Sequence, residues 1–265
     1  MNDRHLLSEL RDGVLVLTLN QPARLNAMSM EMIGAINDAI DRAAGNDAVR
    51  AVLMTGAGRG FCSGADLSSL RERSGAAGGQ VDLGLSMDRL FNPMIRKIRT
   101  LEKPVIAAVN GVAGGGGANL ALACDIVLAA RSASFKQAFA RISLIPDLGG
   151  TWFLPHMAGA AQAQGMALTA DTISAEEAEK RGLVWQVFDD AALMEGAMEM
   201  AKRLAAGPTL ALGHIKRALN AAATNSLAAQ LDMERDLQRA LGRTQDFAEG
   251  VASFLQKRPP QYGGR

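Results

Sequence analysis

The stretch that decides the fold is PVIAAVNGVAGGGGANLALAC, residues 104–124, which carries no charged side chain. Its length is close to the ~20 apolar residues that cross a bilayer as a helix. Two asparagines and five glycines interrupt it, however. The pattern favours a buried strand over 104–109, a glycine loop over 111–117 and a short helix of small residues over 118–123. We therefore predict a strand, a turn and a helix here, and no membrane span.

The same alternation continues on both sides of that stretch. Strands are expected at 14–19, 50–55 and 125–129, and a helix is expected over 83–101. Ser29 is a suitable N-cap for a further helix upstream. Strands that alternate with helices in this way predict an α/β fold of stacked layers.

The C-terminal part of the chain is helical in pattern. We expect an α/β core over 1–205 and a helical region over 206–265. Apolar side chains in that region repeat at helical spacing, so one face must pack on the core or on another subunit; they are Leu212, Ile215, Leu219 and Ala222.

Composition excludes several classes of function. The 265 residues carry 28 basic and 27 acidic side chains, a net charge of +1. There is no long-range field to attract nucleic acid or anionic lipid, so neither is an expected partner. Cys62 and Cys124 lie far apart, and no signal-peptide pattern is present, which favours a reducing cytoplasm.

Several familiar motifs are missing from the sequence. No G-x-G-x-x-G, P-loop or G-x-S-x-G pattern occurs, so dinucleotide, nucleoside-triphosphate and serine-hydrolase sites are not supported. The three histidines, His5, His156 and His214, lack partners at metal-ligand spacing. We expect neither a metal nor a separate cofactor.

Two glycine-rich loops remain, residues 58–66 and 110–117, each after a predicted buried strand. If the loops converge, one backbone N–H from each can hold a single carbonyl oxygen beside a helix N-terminus, which makes an oxyanion hole. The simpler interpretation is that these glycines only allow tight turns and close packing. The residues alone leave both open.

Four motifs in order resemble the crotonase, or enoyl-CoA hydratase/isomerase, superfamily. They are GFCSGADL at 60–67, KPVIAAVNG at 103–111, CDI at 124–126 and IPDLGGT at 145–151. The resemblance implies a spiral of ββα units and an acyl-CoA thioester as substrate. It also implies that the C-terminal helices form a homotrimer, which often pairs into a hexamer.

The resemblance also implies catalytic residues. The amides of Cys62 and Gly116 align with the family's oxyanion-hole positions, and Asp147 stands where the isomerases carry their base. In hydratases two glutamates occupy the positions that here hold Asn119 and Phe139, and neither side chain can activate water. We expect Asn119 and Phe139 to line the acyl pocket instead. Another interpretation of Asp147 is that it caps the following helix.

Isomerisation of an unsaturated acyl-CoA is therefore the expected activity. Further stretches are similar to family members that isomerise a ring epoxide in aromatic acid breakdown, among them residues 144–152 and 185–187. The alternatives are a hydratase, another lyase or hydrolase of this fold, or a relative that only binds a CoA ester or RNA. The family's coenzyme A contacts map to Arg24, Ala27, Gly64, Ala65, Asp66, Leu67 and, from a neighbouring subunit, Lys257.

Overall fold

The structure, a computed structural model, describes residues 4–66 and 82–264. Leu67 lies outside these residues, and so does the glycine-rich stretch 74–79, whose sequence predicts a loop. Within them the strands are β1 (Leu6–Arg11), β2 (Val14–Leu19), β3 (Ala51–Gly56), β4 (Gly60–Cys62), β5 (Val105–Val109), β6 (Val112–Gly114), β7 (Ile126–Ala130), β8 (Ser134–Lys136), β9 (Thr172–Ser174) and β10 (Gln186–Phe188).

Two sheets hold these strands together. One has six strands in the order β1-β2-β3-β5-β7-β10, and the other has four in the order β4-β6-β8-β9. In the larger sheet only β1 and β2 run antiparallel. Every residue of β3 and β5 is buried, as expected for parallel strands covered on both faces.

The sequence pattern did not predict β1, although Asp12-Gly13, directly after it, is a turn signal. Asp12 and Gly13 both have positive φ, +50° and +78°, the combination that a two-residue hairpin turn requires. The turn places Arg11 opposite Val14. The first strand of the hairpin is exposed along much of its length, so its apolar alternation is weak in the sequence.

The helices, within the same residues, are α1 (Met30–Ala44), α2 (Leu83–Ser86), α3 (Asn92–Thr100), α4 (Gly116–Leu122), α5 (Gly150–Ala158), α6 (Ala160–Thr169), α7 (Ala175–Lys180), α8 (Leu193–Ala205), α9 (Thr209–Ala222), α10 (Leu227–Leu241) and α11 (Gln245–Leu255). A π-helical turn, Met87–Phe91, joins α2 to α3, and a 3-10 turn spans Ala138–Ile142. Ser29 caps α1 as expected, because its side chain accepts a hydrogen bond from the N–H of Met32.

The chain repeatedly passes from a strand of the large sheet to a strand of the small one. It does so from β3 to β4, from β5 to β6 and from β7 to β8, and α4 follows β6 directly. These repeats are the ββα spiral that the sequence predicted, and the helical C-terminal region follows them. No helix within 4–66 and 82–264 has the length and hydropathy that a bilayer crossing requires.

Polar contacts join the C-terminal helices to the sheet. Lys216 on α9 lies 2.8 Å from the carboxylate of Asp125, just before β7, and donates to the carbonyl of Ile98 at 2.7 Å. Arg50 donates to the carbonyl of Gly207 and to the hydroxyl of Thr209. The boundary proposed between 205 and 206 stays a prediction.

Candidate active site

A cavity of about 350 Å³ lies where the two glycine-rich loops approach the turn over Ala138–Ile142. The N-terminus of α4 and the π-helical turn complete its wall. Most of the lining is apolar, which suits a hydrophobic acyl group; these side chains include Met28, Met87, Phe91, Phe139, Ile142, Leu144 and Ile145.

The two glycine-rich loops are in direct contact. Gly64 has φ +104°, and a Cβ there would lie 2.9 Å from the carbonyl oxygen of Gly114 and 3.4 Å from the nitrogen of Gly116. No side chain fits between backbones this close. Gly64 therefore allows the first loop to reach the start of α4.

Two backbone N–H groups face this junction. Gly116 is the first residue of α4, and its N–H has no acceptor among the described residues. On the first loop, the N–H of Met28 donates to Gly64 O at 2.7 Å, and the N–H of Asp66 donates to Met28 O at 3.1 Å. These bonds occupy one edge of the chain, so the N–H of Ala65 between them points to the opposite edge. Ala65 and Gly116 both line the cavity.

Cys62 does not take part in this arrangement. It lies within β4 with no exposed surface, and the cavity wall begins one residue later, at Ser63. Burial raises the pKa of its thiol to about 12, so it is not a nucleophile either. Its expected place in the oxyanion hole is therefore wrong, and the structure offers the amide of Ala65 instead.

Asp147 lies on the same wall. A Cβ built on Gly116 would be 3.5 Å from its Oδ1, and this oxygen is buried without a hydrogen-bond partner among the described residues. Burial raises the pKa of Asp147 to about 6. The carboxyl group is thus near the amides and titrates close to neutral pH, which suits proton transfer.

The other interpretation of Asp147, as a helix cap, is wrong. The helix after it is α5, which begins at Gly150, and its cap residue is Gly149. That cap makes no side-chain hydrogen bond. The Asp147 side chain is therefore free of a capping role.

Phe139 and Asn119 occupy different environments. Phe139 lines the cavity as expected. Asn119 is fully buried behind the wall, where its Nδ2 donates to the carbonyl of Asp147 and its Oδ1 accepts from Nε2 of Gln137. The expectation that Asn119 lines the pocket is therefore wrong. The sequence reasoning missed Gln137, because a buried amide has no spacing signal of its own.

The expected coenzyme A contacts fall into two groups. Gly64, Ala65 and Asp66 lie on the cavity wall, and Asp66 forms an ion pair of 2.8 Å with Arg24. Ala27 is buried away from the wall, and Lys257 lies on the exposed end after α11. Lys257 reaches no part of the described cavity, so its role depends on a neighbouring subunit and stays a prediction.

The cavity also has wall residues that the sequence did not indicate. Met87 and Phe91 come from the π-helical turn, and Arg141 from the 3-10 turn. In the sequence, Met87 and Phe91 are four residues apart, the spacing of any helix face that packs on a core, so neither residue indicates a cavity wall. No cluster of three or more histidine, cysteine, aspartate or glutamate side chains within the described ranges is arranged to hold a metal ion.

Comparison with known families matches residues 9–265 to the family described as Enoyl-CoA hydratase/isomerase. The chain belongs to this family. Members of the enoyl-CoA hydratase/isomerase family act on acyl-CoA substrates.

The relatives in this family include both isomerases and hydratases. The chain is 50% identical over 260 residues to "1,2-epoxyphenylacetyl-CoA isomerase" of Escherichia coli (strain K12), covering 98% of each chain. It is 46% identical to "Probable enoyl-CoA hydratase" of Rhodobacter capsulatus over 97% of each. A solved structure of a putative enoyl-CoA hydratase from Streptomyces coelicolor A3(2) superposes with a TM-score of 0.92 at 37% identity, covering 99% of this chain and 95% of the other.

Proposed function

We propose that this enzyme isomerises unsaturated acyl-CoA thioesters with one carboxyl group as the proton carrier. The observation that carries the proposal is Asp147, near two N–H groups that have no acceptor in the described structure. Asp66 is the other carboxylate on the described wall, and it is paired with Arg24. One unpaired acid suits moving a proton within a molecule better than adding water.

The chemistry follows from this arrangement. The N–H groups of Ala65 and Gly116 bind the thioester oxygen. Asp147 takes a proton from carbon 2 of a 3-enoyl-CoA, and the C–H electrons move into an enolate whose charge rests on that oxygen. Asp147 returns the proton to carbon 4, and the double bond ends between carbons 2 and 3. Each oxyanion-hole donor of this kind lowers a barrier by ~3 kcal/mol.

The acyl group in our proposal is cyclic. The substrate is 2-(1,2-epoxy-1,2-dihydrophenyl)acetyl-CoA, which rearranges to oxepin-CoA without gain or loss of atoms, so no cofactor is needed. Phe139 and the apolar wall around it support a flat ring at this end of the cavity. The relative at 50% identity, whose name gives the same class of substrate, supports the same assignment.

Hydration of a 2-enoyl-CoA is the second candidate, since a relative at 46% identity is named as a probable hydratase. Two features of the site oppose it. The buried amide of Asn119 and the ring of Phe139 stand where hydratases carry glutamates, and neither holds or activates water. A CoA-ester scaffold or an RNA-binding relative would not need a carboxyl group with a raised pKa in its cavity.

We also propose a homotrimer, alone or paired into a hexamer, in the cytoplasm. The C-terminal helices leave large apolar side chains uncovered in the single chain. Leu219 is 70% exposed, Leu227 76% and Phe254 82%. A monomer rarely exposes apolar side chains grouped to this extent.

The test compares the enzyme with the variant Asp147→Asn. A 3-enoyl-CoA incubated with the enzyme gains the conjugated 2-enoyl chromophore, and the variant loses this activity by about 10²–10⁴-fold, the usual effect of removing a general acid or base. Binding of a saturated CoA ester stays intact in the variant. Equal isomerase activity in the variant, or faster formation of a 3-hydroxyacyl-CoA from a 2-enoyl-CoA, refutes the assignment.

A further inference from the structure

A chain of buried amides ends at the backbone of Asp147. Nε2 of Gln137 donates to Oδ1 of Asn119 at 2.8 Å, and Nδ2 of Asn119 donates to the carbonyl oxygen of Asp147 at 2.8 Å. Gln137 is 1% exposed and Asn119 is 0% exposed. Since Asn119 both accepts and donates, the bond from Gln137 fixes which way its amide faces.

The backbone that this chain holds is in an uncommon conformation. Leu148 has φ +50° and Gly149 has φ +82°. A leucine in the left-handed region persists only where its surroundings impose it. The carbonyl of Asp147 accepts twice, from Asn119 and from the N–H of Gly150 at 2.8 Å. Asn119 is packed so closely against Gly150 that a Cβ there would lie 2.3 Å from its Nδ2.

The carboxyl group of Asp147 is held less firmly than the main chain, although its own backbone N–H donates a hydrogen bond to it. Its Oδ1 is buried without a hydrogen-bond partner among the described residues. A donor on that oxygen would favour the ionised form and weaken the base. The position of the reacting oxygens therefore depends on the main chain, and a neutral amide fixes the main chain without adding a charge beside the carboxyl group.

We propose that Asn119 and Gln137 are positioning residues, which hold the turn at Asp147 so that its carboxyl group stays on the cavity wall that Ala65 and Gly116 also line. The proposal deepens the isomerase assignment and rests on it. It also gives Asn119 a role behind the cavity wall, distinct from lining the acyl pocket.

The kinetic test uses Asn119→Ala, Gln137→Ala and the double variant. A shift of the carboxyl group by about 1 Å costs on the order of 10²-fold in rate, so we expect kcat to fall about 10–100-fold in Asn119→Ala, with KM changed less than about 3-fold. Gln137 acts through Asn119, and the double variant should therefore match Asn119→Ala instead of losing both effects.

The matched control is Asn220→Ala on α9. Asn220 is a partly buried amide that also bonds both as donor and as acceptor, here with Arg99, and it does not line the cavity. We expect the Asn220→Ala variant to be less stable than the wild type, with kcat per folded molecule unchanged. A loss of kcat in Asn119→Ala no larger than in this control overturns the positioning role.

A second readout needs no substrate. The pKa of Asp147 is followed by carboxyl ¹³C NMR in the wild type and in Asn119→Ala. The other charged groups on the described cavity wall are Asp66 and Arg141, and both are unchanged in the variant. A loosened turn exposes the carboxyl group to water, so its pKa should fall from about 6 towards the ordinary range.

The two readouts separate failure of this inference from failure of the proposed function. An unchanged pKa in Asn119→Ala overturns the positioning role even if the enzyme is an isomerase. A lowered pKa in a protein without isomerase activity supports the positioning role and rejects the isomerase assignment.

Discussion

At the scale of single residues, the identity of the proposed oxyanion-hole donors depends on which N–H groups the fold leaves free. Gly116 was identified through the family resemblance, which aligns it with an oxyanion-hole position. Ala65 was not. Its N–H is free because Met28, far upstream in the chain, pairs with the residues on either side of it. That tertiary contact has no signal in the loop sequence, and the prediction fell on Cys62, three residues too early.

Asp147 was identified because it stands where isomerases of the resembled family carry their base, and its burial has a consequence for stability. The folded pKa of about 6 lies above the ordinary value of 3.8. The folded state therefore binds more protons between these two values, and its stability falls as the pH rises through that window. The unfavourable contribution is complete above about pH 6.

We therefore expect Asp147→Asn to be more stable than the wild type at pH 8. A difference of about two pKa units at ~1.4 kcal/mol each sets an upper limit, and the expected gain is about 1–3 kcal/mol. At pH 4 the gain should be much smaller. Urea unfolding at both pH values measures it, with Asp171→Asn on the exposed surface as the control. Equal gains at pH 4 and pH 8 would contradict the assigned pKa.

At the scale of secondary structure elements, part of the cavity wall comes from a segment that passes from an α-helix to a π-helical turn and back to an α-helix. The sequence predicted one helix over 83–101, and the structure divides this range into α2, a π-helical turn and α3. Asn37 of α1 donates to the carbonyl of Leu90 within the turn at 3.2 Å. A π turn inserts an extra residue into the helix, and periodicity alone does not reveal it.

Met87, the first residue of that turn, lines the cavity, whereas Leu85, two residues earlier, is 42% exposed and does not line it. We expect Met87→Ala to enlarge the pocket and to favour longer or bulkier acyl groups. A difference of one or a few methylene groups changes kcat/KM by about 10–200-fold. The ratio of kcat/KM for a medium-chain to a short-chain 3-enoyl-CoA measures the change, and Leu85→Ala is the matched control. An equal ratio in both variants would show that the Met87 side chain does not limit the size of the acyl group.

At the scale of the whole molecule, helical spacing predicted that an apolar face of the C-terminal region packs on the core or on another subunit. It did not predict which contacts attach this region to the sheet. Part of the attachment is ionic. Lys216 of α9 is buried against Asp125, and Arg99 lies 3.7 Å from the same carboxylate. Burial raises the pKa of Asp125 and lowers that of Lys216, and the opposite charge of each partner counteracts the shift of the other. A lysine and an aspartate 91 positions apart give no pattern from which this pair is predictable.

Removing the lysine should therefore destabilise the attachment of α9 to the sheet. In Lys216→Met the carboxylate of Asp125 stays buried, with the N–H of Val105 and the more distant Arg99 as partners. Losing one partner of a buried pair costs about 3–5 kcal/mol. Chemical denaturation at one fixed protein concentration measures this loss, because an oligomer's stability depends on concentration.

The pH dependence and a control pair complete this prediction. Without Lys216 the pKa of Asp125 rises further, so the carboxyl group becomes protonated on acidification, and the loss of stability should be smaller at pH 4.5 than at pH 8. Lys202→Met removes an exposed lysine that pairs with Asp12 at 2.7 Å and should cost less than ~1 kcal/mol. Adding Asp125→Asn to Lys216→Met should recover part of the loss, since no unpaired charge is then buried. Equal losses in the two lysine variants would mean that the Lys216–Asp125 pair contributes no more to stability than an exposed pair does.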